Sequence, residues 1–167
     1  MRLPSPLFER GIAEEALVDL TRNQQLAMED ALQALTYLFA AERVLGNEYE
    51  RLSSDLSFLS PASFLVAHAV ELGLNAFLSF NGTKGGKGNH DLQGRLSAAE
   101  SAGLAVTEDF QTYVKIVNEP HKSGHFRYAR DTGFLFMSPR KALDVVRPVL
   151  ESIQASIEQQ ASPREKF

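Results

Sequence analysis

Apolar residues recur at intervals of three and four along most of this chain, which is the spacing of one face of an α-helix. The longest such stretch, residues 61–81, is apolar on almost every side and predicts a central helix. Ser60 is a suitable N-cap, Pro61 suits the first helical position, and Gly82 is a suitable stop. A helix of this composition is either buried among other helices or spans a membrane, and its polar residues favour burial.

Four polar side chains interrupt this apolar helix. At about 100° per residue they fall on one stripe roughly 80° wide along the helix surface. The stripe either faces solvent with its hydrogen bonds satisfied locally, or lines a functional site, and the sequence leaves both interpretations open. Its members are His68, Glu71, Asn75 and Ser79.

The same periodicity predicts helices before the central one. Residues 12–20 suit a short helix, and residues 23–45 suit a long one that ends at Gly46. A helical period continues through residues 47–59, although serines weaken the prediction there.

After the central helix comes a loop rich in glycine and lysine, residues 81–91. Asp91 is a good N-cap for a helix that ends at Gly103. Thr107 is a good N-cap for the next helix, which we expect Pro120 to stop.

Residues 121–138 have a different pattern. Two short aromatic runs flank an Arg-Asp-Thr-Gly step, which is typical of a hairpin or an extended flap. The last helix begins at Pro139, and Pro148 should kink it. Because strands do not alternate with these helices, we expect an all-α fold, an antiparallel bundle of roughly four to six helices. Residues 1–167 then form a single domain.

Composition narrows the classes of function. The 167 residues are enough for one domain with a real core, and the net charge of −4 gives no support to broad binding of nucleic acid or membrane surfaces. The absence of cysteine excludes disulfides and thiolate chemistry and suits a reducing cytoplasm. No uninterrupted apolar run reaches the roughly 18 residues of a membrane span, and the N-terminus lacks a signal-peptide pattern. We therefore expect a cytoplasmic protein without a membrane partner.

The glycine- and lysine-rich loop lacks the spacing of a P-loop and follows a helix instead of a strand. It is therefore predicted to be a flexible connector. Lys84 and Lys87 could still contact an anion, helped by the start of the helix after Asp91.

Histidine spacing raises the question of a metal site. His121 and His125 are four residues apart, which on a helix would place both imidazoles on one face. Pro120 precedes the pair and a Ser-Gly step divides it, which argues against a regular helix. A third ligand would have to be His68, His90 or a carboxylate, so we predict no metal and no other cofactor.

Glu71 places a carboxylate in the middle of the most apolar helix, so it needs a partner or a raised pKa. Its natural partners are Arg127 or Arg130 from the aromatic segment, or His90. A structural ion pair and a functional site both remain open, because both perturb pKa values.

Three segments carry these features, in the order FLVAHAVELGLNAFLSFNG, NHDLQGRL and NEPHKSGHFRYAR. Together they resemble the long helix, the His-Asp-Leu helix start and the late Asn/His segment of the HEPN family of prokaryotic helical domains. The resemblance covers about residues 24–157. It implies a helical bundle, often a homodimer. Many members are ribonucleases of toxin, defence or stress systems, and others have lost activity and bind nucleotides or RNA.

The nuclease members of that family carry an Arg a few residues before a His. No histidine of this chain has an Arg at that spacing, and the nearest basic residue is Lys115, with Asn118 between it and His121. A lysine supplies charge without the two-pronged contact of an arginine. The resemblance therefore implies a non-catalytic module that binds a nucleotide, RNA or a protein partner. The alternative is a metal-independent ribonuclease in which His121 acts as general acid/base beside Lys115 or Arg127.

These observations combine in one hypothesis for a ligand site. A carboxylate of the central helix would orient an arginine of the aromatic flap, which would present positive charge to an anionic ligand together with the loop lysines. The predicted ligand-binding residues are Glu71, Asn75, His90, Arg127 and Tyr128.

Overall fold

The described residues of the computed structural model form five α-helices and no strand, which confirms the predicted all-α class. The structure describes residues 21–46, 59–83, 90–126 and 137–161. The helices are α1 (Arg22–Leu45), α2 (Leu59–Phe80), α3 (Leu92–Ser101), α4 (Glu108–Lys122) and α5 (Pro139–Ala161). The predictions for residues 12–20 and 47–58 lie outside the described part of the chain.

Helix α2 is the centre of the bundle, because it contacts each of the other four helices. Val70, Leu74 and Phe77 are buried in the core, as the apolar pattern predicts. By length and composition α2 is able to cross a membrane, but the core helix of a soluble protein passes the same test. Most of its apolar window is buried against the other helices.

The start of α2 differs from the prediction and its end agrees with it, because Ser60, the predicted N-cap, lies inside the helix and its hydroxyl donates to the Phe126 carbonyl at 3.1 Å. The helix begins at Leu59, so Pro61 lies in the first turn, where its missing N–H removes no helical hydrogen bond. Gly82 has a φ of 72°, in the left-handed region that favours glycine. The Thr83 N–H then donates to the Leu78 carbonyl at 2.8 Å, which confirms the predicted stop.

The N-caps predicted for α3 and α4 are also present. The Asp91 carboxylate accepts a hydrogen bond from the Gly94 N–H at 3.3 Å. The Thr107 hydroxyl accepts one from the Phe110 N–H at 3.2 Å. These side chains satisfy backbone donors that have no partner inside the first turn of a helix.

Pro120 does not stop α4, contrary to the prediction, because the helix continues to Lys122. A proline this close to the end of a helix removes one backbone hydrogen bond and leaves room for a final turn. Residues 121–126, the start of the predicted flap of residues 121–138, therefore form the end of α4 and a turn instead of an extended segment. Residues 127–136 lie outside the described part of the chain.

One face of α2 packs closely against α1 and α5. A Cβ built on Gly73 would overlap the Cδ2 of Leu150 in α5 and lie 3.9 Å from the Cβ of Ala34 in α1. Gly73 therefore allows the three helices to approach each other. The opposite face of α2 meets α3 and α4, and it is this face that carries the polar stripe.

Candidate functional site

The polar face of α2 carries Glu71, whose side chain is only 8% exposed. Arg95 of α3, His121 in the last turn of α4, and His90 just before α3 all contact its carboxylate. His68 lies one helical turn before Glu71 on the same face of α2. These five residues are referred to below as the Glu71 cluster.

The contacts involve both oxygens of the carboxylate. Oε2 of Glu71 lies 2.8 Å from Nε2 of His121, 3.0 Å from Nδ1 of His90 and 3.8 Å from Nδ1 of His68. Oε1 lies 3.2 Å from Nη2 of Arg95 and 3.1 Å from Nδ1 of His90. A single buried carboxylate thus faces one guanidinium and three imidazoles.

These neighbours set the charge of Glu71. Burial alone would raise its pKa, because it disfavours the charged form. Hydrogen bonds to His121, His68 and His90, and the positive charge of Arg95, outweigh burial and hold the pKa well below the ordinary 4.5. Glu71 is therefore ionised at neutral pH.

The ionised carboxylate determines where the imidazole protons lie. It can only accept hydrogen bonds, so Nδ1 of His90 and Nε2 of His121 must be the donors. The other nitrogen of His121, Nδ1, is buried and has no hydrogen-bond partner within the described residues. Unpaired buried nitrogens are uncommon in cores, and a functional role is one explanation for them.

Arg95 is held in place by three acceptors, two on α2 and one at the start of α3. Its Nε donates to Oδ1 of Asn75 at 2.8 Å, and its Nη1 donates to the Asp91 carbonyl at 3.1 Å, while Nη2 contacts Glu71. The Arg95 side chain is only 4% exposed. Asn75 therefore contributes to the cluster by orienting the arginine.

Asn118 links α4 to the start of α3. Its Oδ1 accepts hydrogen bonds from the backbone N–H groups of Leu92 and Gln93, at 2.7 Å and 3.2 Å. Its Nδ2 donates to Oε1 of Gln93 at 3.2 Å. The Gly94 N–H donates to the Asp91 carboxylate in the same turn. The N–H groups at the start of α3 therefore already have side-chain acceptors and are not free to bind the anion expected there.

The cluster is open at one edge. The side chain of His90 is 42% exposed and that of His68 is 27% exposed. The Phe64 ring stacks on His68 with a centroid separation of 5.6 Å, and Tyr37 of α1 meets His68 edge to face at 4.7 Å. The buried part of the cluster thus holds the charges, and its rim consists of imidazole and aromatic rings.

Three residues of the ribonuclease alternative, Lys115, Asn118 and His121, lie on α4. Lys115 is exposed and lies six residues before His121, which places the two about 120° apart around α4. His121 is buried and bonded to Glu71, and Asn118 caps α3. Within the described part of the chain, Lys115 and His121 therefore do not share one face of α4.

Three of the five predicted ligand-binding residues, Glu71, Asn75 and His90, lie together, and the predicted contact of Glu71 with His90 is present. Arg127, Arg130 and Tyr128 lie outside the described residues. Among the described residues, the arginine that contacts Glu71 is Arg95, which was not predicted from the sequence. Its position three residues after Leu92 and four before Ala99 places it on the buried face of α3, a signal that could have identified it.

Three members of the cluster also have the donor types of a metal site. His68, Glu71 and His121 each offer one ligand atom, and these atoms all lie within 4.8 Å of one another. The spacing in the sequence pairs His121 with His125, whereas the structure places His121 beside His68 and Glu71 of α2. His125 instead contacts the Phe126 ring, at a centroid separation of 6.4 Å.

No protein-family model, curated protein or solved structure matches this chain. Fold and site therefore define its class on their own, as an all-α bundle with a buried carboxylate–histidine–arginine cluster. Membership of the HEPN family stays a prediction.

Proposed function

We propose that this chain is a non-catalytic, HEPN-like binding module whose Glu71 cluster recognises the phosphate of a nucleotide or of RNA. The observation that carries the proposal is the open edge of the cluster. Glu71, Arg95 and His121 are buried, but His68 and His90 are partly exposed beside them. A cluster that served only to join helices would need no imidazole at the surface.

The arrangement of charge supports binding over a purely structural role. The negative charge of Glu71 is neutralised by the positive charge of Arg95. The imidazole donors are therefore not needed to compensate a buried charge. Replacing a buried ion pair with apolar residues is often neutral or stabilising, so such a pair by itself is weak evidence for a stabilising role. The three histidines are better explained by a ligand.

The chemistry of the rim favours a phosphate attached to a base. Imidazole donors suit phosphate oxygens, and the Phe64, His68 and Tyr37 rings offer faces and edges for stacking. In the sequence, Lys84 and Lys87 belong to the segment that leads to His90, and lysines of this kind contribute to phosphate binding in general.

The absence of catalysis is proposed from the state of His121. Its Nε2 donates to Glu71 and its side chain is only 3% exposed, so a scissile phosphate has no access to that nitrogen. RNA cleavage that disappears in His121→Ala would overturn this part of the proposal and support the ribonuclease alternative.

The test is a binding titration of the full chain with labelled nucleotides and short single-stranded RNA. We expect His90→Ala and His68→Ala to weaken binding by about tenfold or more, the scale of an interaction worth about 1.4 kcal/mol. His125→Ala is the matched control, because His125 is the one histidine outside the cluster. Unchanged affinity in both cluster variants, or binding only to a protein partner, would overturn the proposal.

The homodimer that the family resemblance implies stays a prediction. Light scattering at micromolar concentration tests it, and a mass near 18.5 kDa would contradict it.

A further inference from the structure

We infer that His68, Glu71 and His121 form a binding site for a divalent transition metal ion of the zinc type. The ion would supply the positive charge that receives a phosphate oxygen, and that role rests on the proposed function. The binding of the ion itself does not depend on it, because it follows from the geometry and chemistry of the three side chains.

The ligand atoms are close to metal-binding distances. Bonds of roughly 2.0–2.1 Å in tetrahedral geometry place two ligand atoms about 3.3 Å apart. Oε2 of Glu71 lies 2.8 Å from Nε2 of His121 and 3.8 Å from Nδ1 of His68, so these separations fall on either side of that value. All three ligand atoms lie within 4.8 Å of one another, so side-chain rotations that close separations by up to about 1.5 Å would complete the tetrahedral geometry.

The three ligands are fixed by two helices. His68 and Glu71 are three residues apart in α2 and therefore project from the same face. His121 comes from the last turn of α4, which packs against that face. A bound ion would replace the proton that Nε2 of His121 donates to Glu71 in the metal-free chain. A site carried by helices is held more precisely than one carried by loops.

The donor set selects the class of metal. Two imidazoles and one carboxylate are the protein ligands of many zinc sites that keep a fourth position for water or substrate. Magnesium and calcium prefer oxygen ligands throughout, so this set disfavours them. His90, whose Nδ1 lies 3.0 Å from Oε2 of Glu71, could occupy the fourth position or yield it to a ligand.

Arg95 determines which oxygen is available to the ion. Its guanidinium contacts Oε1, while the imidazoles of His68 and His121 face Oε2. Asn75 and the Asp91 carbonyl hold the arginine in this position. Such outer contacts orient the ligating oxygen, as they do in known metal sites. The positive charge of Arg95 also repels cations from the site. Only an ion that forms strong bonds to imidazole would overcome this repulsion.

The test uses untagged full-length chain that has been freed of metal with a chelator. It is titrated with zinc chloride by calorimetry and with cobalt(II), whose visible spectrum reports tetrahedral coordination by nitrogen and oxygen. We expect a single ion per chain. His68→Ala should weaken binding by at least about 100-fold, because losing even an outer-shell partner costs on the order of 10–100-fold.

His68 is the variant of choice because it is partly exposed, and circular dichroism checks that its helices are retained. His125→Ala should bind zinc as the original chain does. Failure to bind either metal, or an affinity unchanged in His68→Ala, would overturn the inference.

A nucleotide titration with and without the chelator separates the two proposals. If the chain binds no zinc but still binds nucleotide in the presence of the chelator, the metal site is excluded and the proposed function stands. If the chain binds zinc but neither nucleotide nor RNA, the metal site stands and the proposed function is excluded.

Discussion

On one face of α2, Gly73 lets Leu150 of α5 approach so closely that a Cβ would overlap it, while on the other face Glu71 is enclosed by donors from α3 and α4. The first face depends on volume, because apolar contacts are non-directional and close-packed. The second depends on pairing, because a buried charge without partners is costly. Two sides of the same helix should therefore respond differently to equally small changes.

The largest expected effect lies on the polar face. Glu71→Ala leaves Arg95 buried without its countercharge, so the free energy of unfolding should fall by about 3–5 kcal/mol. Urea denaturation followed by circular dichroism measures this. A loss below about 1 kcal/mol, the range of exposed pairs, would show that solvent already screens the cluster.

A double variant sharpens that result. If the cost comes from the unpaired guanidinium, Glu71→Met combined with Arg95→Met should lose clearly less stability than the sum of the two single changes. Simple additivity would mean that the two residues act independently, contrary to their 3.2 Å contact.

A comparable effect is expected on the apolar face for a different reason. Leu150 is 2% exposed, and Leu150→Ala should lower the free energy of unfolding by about 2–5 kcal/mol through lost burial and a cavity. Because this change lies away from the Glu71 cluster, zinc and nucleotide affinities measured on the folded variant should stay as they are. A change in either affinity would show that the two faces are coupled.

A smaller effect should come from adding volume where the helices are closest. Gly73→Val should lower the free energy of unfolding by about 1–3 kcal/mol, because its side chain would meet Leu150. The same substitution in a Leu150→Ala background should cost less, and a double-mutant cycle measures the difference. If Gly73→Val lowers the free energy of unfolding equally in both backgrounds, the loss does not come from its contact with Leu150.

The comparison also separates what the sequence predicts from what it does not. The buried positions of α2 and the caps Asp91 and Thr107 follow from periodicity and local backbone chemistry, and the structure confirms them. Pro120 misled the prediction because a proline near a helix end removes a single hydrogen bond, which leaves room for α4 to continue.

The site is less predictable because it depends on contacts between helices. Glu71 needed a positively charged partner, but nothing local to it distinguished Arg95 from the arginines of the aromatic segment. From the sequence, His121 is a catalytic candidate in the ribonuclease alternative alone, whereas its contact with Glu71 arises from the packing of α4 on α2. Residue types identified the chemistry of the cluster, and tertiary packing selected its members.

The smallest expected effect is a pH dependence confined to the polar face. The pKa of Glu71 is held below its ordinary 4.5, so as pH falls the unfolded chain binds a proton at this carboxyl before the folded chain does. Its stabilising contribution is therefore complete above about pH 4.5 and is progressively lost below it. Glu71→Gln cannot titrate, so its stability difference from the original chain should shrink as pH falls from about 6 to about 3.

This prediction is checked by urea denaturation at each pH, in the presence of a chelator so that no metal contributes. Leu150→Ala is the control, because it introduces no titrating group and its difference from the original chain should vary far less. If the Glu71→Gln difference also stays constant, Glu71 does not stabilise the fold through its charge. The polar face would then be held by packing, as the Gly73 face is, and the contrast between the two sides of α2 would disappear.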